Sequence, residues 1–290
     1  MPVYRSFLFA PGNHPRRVEK SLTLGADAVI LDLEDAVVPE KRPRARREIA
    51  AYLAGAERVV PLWVRINSVD TEDALADLAA VIDARPDGIM LPKARDGADV
   101  NRASHWLEAH EARCGFAIGS VGLIPLITES AGALLKVASF TGLPTRVAGL
   151  TWGAEDLAAD IGAFGNKSPD GEYELTYAIA RSMCLLAAAA AGVPAIDTVD
   201  IEIKDIGAIE RRARASRRQG FAGKLAIHPG QVAPIHAAFS PSDDEVRWAE
   251  RVLAAFRDVP GTGAVSFEGG MLDKPHVRQA ERILAAARRR

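Results

Sequence analysis

The strongest constraint on this chain is an alternation. A short apolar run, then a helical pattern, recurs eight times between Val3 and Pro229. The apolar runs are VYRSFLF, DAVILDLED, RVVPLWVRIN, DGIMLPKA, SVGLIPLI, RVAGLTWG, VPAIDTV and FAGKLAIHP. Near-continuous apolar runs of this length suit strands buried on both faces in a parallel sheet, with the intervening helices as crossovers. Eight such units predict a (β/α)8 barrel of the TIM type, and they fit it better than an open doubly wound sheet. No fixed-period sequence repeat accompanies the pattern.

The helices have readable starts. Pro15 opens one running to about Leu24, and Pro39 precedes another. Further helical spacing covers 71–84, about 98–113, about 172–191 and 205–218. After Pro229 the texture changes. PSDDEVRWAERVLAAF is amphipathic behind a Ser/Asp-rich start, PGTGAVSFEGGMLDKP is Gly-rich, and HVRQAERILAAARRR reads as a final helix. The expected organisation is a catalytic barrel over 1–235 and a small C-terminal lid segment over 236–290.

Composition excludes several classes. A net charge of −2 over 290 residues gives no general attraction to nucleic acid or an anionic membrane. Arginines gather at 42–47, at 211–218 and at the extreme C-terminus, and each run reads as a solvated helix face or tail. Two widely separated cysteines, Cys114 and Cys184, form neither a disulfide framework nor a metal motif, so a reducing cytoplasm is expected. The N-terminus lacks the pattern of a secretory signal, and the apolar run from Met183 to Ile196 is too short for a membrane span.

The chemistry gathers where strands end. Polar residues follow nearly every apolar run: Asp32 and Glu34, Arg65 and Asn67, Lys93, Glu129, Glu155 and Asp156, Asp197, and His228. In a barrel these positions point into the site. Carboxylates there, beside small residues, suit an oxygen-preferring cation such as Mg2+. Glu129 read alone is equally consistent with an acid in the first turn of a helix. Lys93 has two readings, a Schiff-base lysine or a partner of neighbouring carboxylates, and the second is preferred. Walker, G-x-G-x-x-G and G-x-S-x-G patterns are absent from the sequence.

The motifs RSFLFAPGN (5–13), LDLEDAVVPEKRPRAR (31–46), VRIN (64–67), TESAGAL (128–134), WGAEDLAADIGA (152–163), GFAGKLAIHPGQV (220–232) and GGMLDKPHVRQA (269–280) span nearly the whole chain. In that order they resemble the citrate lyase beta-subunit-like CoA ester lyases of the HpcH/HpaI aldolase/citrate lyase family. The resemblance implies a Mg2+-assisted retro-Claisen cleavage of a short 3-hydroxyacyl-CoA, with Mn2+ as an acceptable substitute. It places the metal on Glu129 and Asp156 and the 2-oxo acid on Arg65. Substrate or CoA contacts fall on Phe9, Arg16, Lys20 and the Ile227-His228 backbone, and the catalytic acid–base on Asp273. It also implies a homo-oligomer, a trimer or hexamer, with no nucleic-acid or membrane partner. Capping a helix is the alternative role for Asp273. Other activities remain open: a citrate lyase beta subunit acting on a carrier protein, a metal-dependent pyruvate aldolase on free acids, or a malyl-CoA thioesterase.

Overall fold

The computed structural model describes residues 3–55, 58–259 and 263–288. Residues 260–262 of the Gly-rich stretch and the last two arginines lie outside them. The chain divides into two compact units, Met1–Ile235 and His236–Arg290.

The first unit is built on a seven-stranded sheet. Its strands are β1 (Ser6–Pro11), β2 (Ala28–Asp32), β3 (Leu62–Arg65), β4 (Gly88–Leu91), β5 (Gly122–Pro125), β6 (Ile196–Asp197) and β7 (Gly223–Ala226). All neighbours pair in parallel, in the order β5-β4-β3-β2-β1-β7-β6. The expected strand RVAGLTWG forms only isolated bridges, yet these reach both open edges. Val147 and Thr151 bridge to β5 and Leu126, and Leu150 bridges to Ala195 just before β6. The ring therefore closes as a TIM-type barrel, with its eighth stave reduced to bridges.

Alternation sets what faces the barrel's interior. Phe7, Ala28, Ile30, Trp63, Met90, Ile124, Leu126, Ile196 and Leu225 form one buried cluster, in which Ala28 and Ile30, and likewise Ile124 and Leu126, are two positions apart. Trp63 packs edge-on against Phe7, ring centroids 6.0 Å apart. Gly88 gives it room, since a Cβ there would stand 2.2 Å from the indole. The outer helices stop at left-handed glycines: Gly115 after Gly97–Cys114, Gly192 after Leu175–Ala191 and Gly220 after Ile206–Gln219.

The closing segment is anchored from outside by Arg146. Its guanidinium bonds Glu111 at 3.0 and 2.9 Å, Ser104 at 3.1 Å and the Val121 carbonyl at 3.0 Å, while its own carbonyl accepts from Leu123 N–H. Glu111 also accepts from the backbone of Gly119 and Val121, so both buried charges are satisfied.

The second unit differs from its sequence reading in one respect. The Gly-rich stretch holds an antiparallel hairpin, β8 (Ala264–Phe267) and β9 (Gly270–Asp273). Its turn residues, Glu268 and Gly269, have φ of 49° and 82°, as a two-residue I′ turn requires. The hairpin packs with helices Asp243–Asp258 and Lys274–Ala287 around Ala249, Val252, Val265, Leu272 and Ala280. Ser242 and Glu245 start the first helix with a reciprocal capping box.

Replacing Arg146 by Met leaves Glu111 buried without its cation. The expected loss is about 3–5 kcal/mol of unfolding free energy, measured by urea denaturation; a loss below about 1 kcal/mol would show that the anchor does not hold the closing segment.

Candidate active site

The inward phase of β1, β2 and β3, followed to their C-terminal ends, delivers Phe9, Asp32 and Arg65. Register places Asp32 beside Arg65. The two form a bidentate pair, Nε to Oδ1 and Nη2 to Oδ2, both 2.7 Å. Asp32 also accepts from the N–H groups of Glu34 at 3.0 Å and Ala36 at 3.2 Å. Arg65 stacks over the Phe9 ring, 4.8 Å from its centroid, and its Nη1 lies 3.0 Å from Glu34 Oε2. Burial opposes the guanidinium charge, but Asp32, with Glu34 and Asp35, holds the group's pKa above its ordinary value. Arg65 is thus a permanent cation in a fixed orientation.

Glu129 follows β5 and is buried. One of its oxygens accepts the backbone N–H of Lys93. Gly153 makes room for the carboxylate, because a Cβ there would lie 2.8 Å from both Glu129 Cγ and Oε1. Burial first, then the charges of Asp156 and Glu34, push the Glu129 carboxyl well above the usual carboxylate range. Asp156 sits in the first turn of helix Ala154–Asp160. Lys93 joins these groups: its ammonium pairs with Glu34 and lies 3.2 Å from Asp156 and 3.4 Å from Asp35. Burial opposes that charge too, but Glu34, Asp156 and Glu129 hold its pKa above the ordinary lysine value.

A cleft of ≈ 390 Å³ contains Phe9, Asp32, Arg65, Glu129, Asp156 and Ile227, with Leu126, Val199 and Leu225 as its apolar floor. Asp197 and Asn67, also expected at the site, point away from the cleft. Ile196 faces the barrel interior, so Asp197, the next residue, faces outward. There it accepts from Trp152 Nε1 at 2.7 Å, Arg181 at 3.1 and 3.0 Å, and Ser216 at 2.5 Å. Despite burial, Lys224 and Arg181 hold its carboxyl well below the usual range. Asn67 donates to Asp77 and to the Leu33 carbonyl, and so braces the helix Glu72–Val81. The N–H groups of Ile227 and His228 both donate to Gln231 Oε1, while His228 Nδ1 accepts from Gly230, so this backbone has no free N–H to offer a ligand. Arg16 and Lys20 are exposed on one face of helix Pro15–Ser21, outside the cleft lining.

Asp273, in the second unit, is half-exposed at the start of helix Lys274–Ala287. Its Oδ1 is 2.7 Å from His276 Nδ1, and its N–H donates to the same nitrogen at 3.2 Å.

A cationic guanidinium and a pair of carboxylates at the C-terminal mouth of a parallel barrel can hold an anionic substrate and stabilise charge that develops beside it. Residues 5–229 match the HpcH/HpaI aldolase/citrate lyase family, and residues 187–289 match the C-C_Bond_Lyase of the TIM-Barrel fold. A citrate lyase subunit beta-like protein of Mycobacterium tuberculosis is 36% identical over 97% of this chain and 94% of its own. The mitochondrial citramalyl-CoA lyase of Rattus norvegicus is 34% identical, over 98% and 86%. The crystal structure of the CitE protein of M. tuberculosis in complex with magnesium, acetoacetate and coenzyme A superposes with a TM-score of 0.82 at 34% identity, covering 98% of both chains. Fold and site define a carbon–carbon lyase on a TIM barrel. The chain belongs to the HpcH/HpaI aldolase/citrate lyase family, which includes lyases of CoA esters.

Gly153→Ala should destabilise the fold by about 1–3 kcal/mol by crowding Glu129, read by chemical denaturation. Gly132→Ala, whose Cβ meets nothing within 4 Å, should be neutral or stabilising by up to about 1 kcal/mol. Equal effects in the two variants would remove Gly153 as the determinant of Glu129's position.

Proposed function

We propose that this enzyme is a Mg2+-dependent lyase that cleaves a short 3-hydroxyacyl-CoA, citramalyl-CoA or malyl-CoA, into acetyl-CoA and a 2-oxo acid. The observation that carries this reading is the placement of an oriented Arg65 and the Glu129–Asp156 pair in one cleft. The citramalyl-CoA lyase relative and the CitE complex with magnesium, acetoacetate and coenzyme A support it.

The donor set fits the metal. Among the described residues no three His, Cys, Asp or Glu are grouped as a cage, and Mg2+ is commonly held by one or two carboxylates plus water and substrate. Burial first, and then the charge of Asp156, raises the Glu129 carboxyl, and a cation held by both carboxylates would offset this. Glu129 and Asp156 would hold Mg2+, or Mn2+ in its place, and the ion would supply Lewis acidity and a template for substrate oxygens.

The chain's own residues then divide the work. Arg65 binds the carboxylate and the carbonyl oxygen of the nascent 2-oxo acid through planar, permanently charged donors. As the carbon–carbon bond breaks, the 3-hydroxyl gives its proton to the Asp273 carboxylate and becomes that carbonyl, and the bonding electrons pass to the thioester as an enolate. Asp273 returns a proton to the enolate carbon. For this the second unit, from the same or a neighbouring copy of a homo-oligomer, trimer or hexamer, closes over the cleft and desolvates the carboxyl.

The test is a product assay with malyl-CoA and both enantiomers of citramalyl-CoA, in Mg2+ and in EDTA. Acetyl-CoA and a 2-oxo acid should appear only with Mg2+. Free CoA without acetyl-CoA would make the protein a thioesterase, and no turnover of any CoA ester would redirect the reading to free acids or a carrier-protein substrate.

Glu129→Gln and Asp156→Asn should each lower metal-dependent turnover by at least about a hundredfold; native rates in either would refute the assignment. Asp273→Asn should lower kcat by about 10²–10⁴-fold with KM nearly unchanged, and an unaltered kcat would leave Asp273 with its capping role alone.

A further inference from the structure

Lys93 has a conformation that the reaction outlined above does not use. Its φ is +52°, a left-handed value that non-glycine residues avoid. Two other described residues share this trait, Arg85 at the end of a short helix and Glu268 in the β8–β9 turn. Those positions require such a turn for chain reversal. Lys93 instead lies just past the end of β4, in the site. Unfavourable backbone that persists at a site is held there by its surroundings.

The contacts explain what the conformation achieves. The left-handed turn sends the main chain and the side chain of one residue to the same acidic cluster. The Lys93 N–H donates to Glu129, while its ammonium reaches Glu34, Asp35 and Asp156. The next residue continues the brace, with Ala94 N–H bonded to the Leu126 carbonyl at 3.1 Å. The cluster is short of cations. Arg65 gives its two best hydrogen bonds to Asp32 and shares Glu34 with Lys93, while Lys93 is the cation paired with Asp156. Glu34 Oε2 is buried and meets Arg65 Nη1 at 3.0 Å as an ion pair without hydrogen-bond geometry.

We propose that Lys93 is a tethered counter-cation of the metal site. With the divalent ion absent, its ammonium neutralises Asp156 and Glu34 and keeps them in place. With the ion present, the two cations share Asp156, and their repulsion keeps the metal's affinity low. The inference rests on Glu129 and Asp156 as the metal-holding pair.

Four proteins test it: native, Lys93→Gly, Lys93→Met and Lys93→Arg, each titrated calorimetrically with MgCl2 alone. Glycine accepts the left-handed turn and keeps the N–H on Glu129, so it removes the side chain and its ammonium without disturbing the turn. Methionine removes the charge and keeps the length. Both should bind Mg2+ at least about tenfold more tightly than native, with Arg near the native Kd. Without metal both should melt below native, and saturating Mg2+ should raise their Tm by more than it raises the native Tm. Mere structural damage would weaken binding, so tightening is specific to the proposal.

A Kd that is unchanged or weaker in both uncharged variants overturns the inference. If only one folds, its Kd decides. A native protein whose Mg2+ isotherm is absent, or is the same in Glu129→Gln, overturns the metal assignment and this inference together. Native binding that is lost in Glu129→Gln but unaltered at Lys93 overturns this inference alone.

Discussion

Charge crowding at the mouth of the barrel governs the rest of the site. Asp32, Glu34, Asp35, Glu129 and Asp156 meet Arg65 and Lys93 in one region, and four of the carboxylates lie within 4 Å of one of those two cations. Buried like charges are unfavourable unless each finds donors or a counter-ion. Asp32 is satisfied four times, twice by Arg65 and twice by backbone N–H groups. Glu129 has one backbone donor and a pKa raised by burial and by Asp156. The contrast separates their roles. Asp32 is a completed structural acid that aims Arg65, while Glu129 is held by a single backbone donor.

The same physics explains why a second charged cluster lies outside the barrel. Asp197, Lys224 and Arg181 are as buried as the site residues, yet each has partners. Lys224 donates to the Thr198 carbonyl at 2.7 Å, and Asp197 accepts from four donor atoms of Trp152, Arg181 and Ser216. Strand phase decides membership. Ile196 and Leu225 face inward, so their neighbours Asp197 and Lys224 face the outer helices. One residue of offset converts an apparent site acid into a clamp between β6, β7 and the helices Leu175–Ala191 and Ile206–Gln219.

This offset also marks how far the sequence could be read. The eight apolar runs were legible because parallel strands buried on both faces leave a dense Val/Ile/Leu signal. Glu129, Arg65 and Lys93 were legible as charges just after such runs. Asp197 was misplaced because a strand buried on both faces lacks the polar alternation that would reveal its phase. Lys224 carried a usable signal, a lone charge within the apolar run FAGKLAIHP, which in a two-sided strand demands a buried partner. The roles of Gly153 and of the Lys93 turn left no local mark, since both depend on where Glu129 arrives from another strand. The hairpin was hidden for a different reason: Glu-Gly at its turn is a weaker cue than Asn-Gly or Asp-Gly.

That hairpin bears on how an exposed aspartate could be prepared for chemistry. β9 ends on Asp273, and the next residue begins a helix with Pro275 in its first turn. The carboxylate is thus carried at a strand–helix junction rather than on a loose loop. Its backbone is paired on one side, through the register with Ala264, and continuous with a helix on the other. His276, one turn along, places Nδ1 within 2.7 Å of Oδ1. For the closure proposed above, rigidity within the unit would leave only rigid-body freedom to fix, rather than side-chain and loop freedom as well. The barrel mouth meets the same requirement by other means: Asp32 locks Arg65, and Gly153 with the Lys93 N–H locks Glu129. Each group proposed for catalysis is held by a neighbour that need not touch substrate.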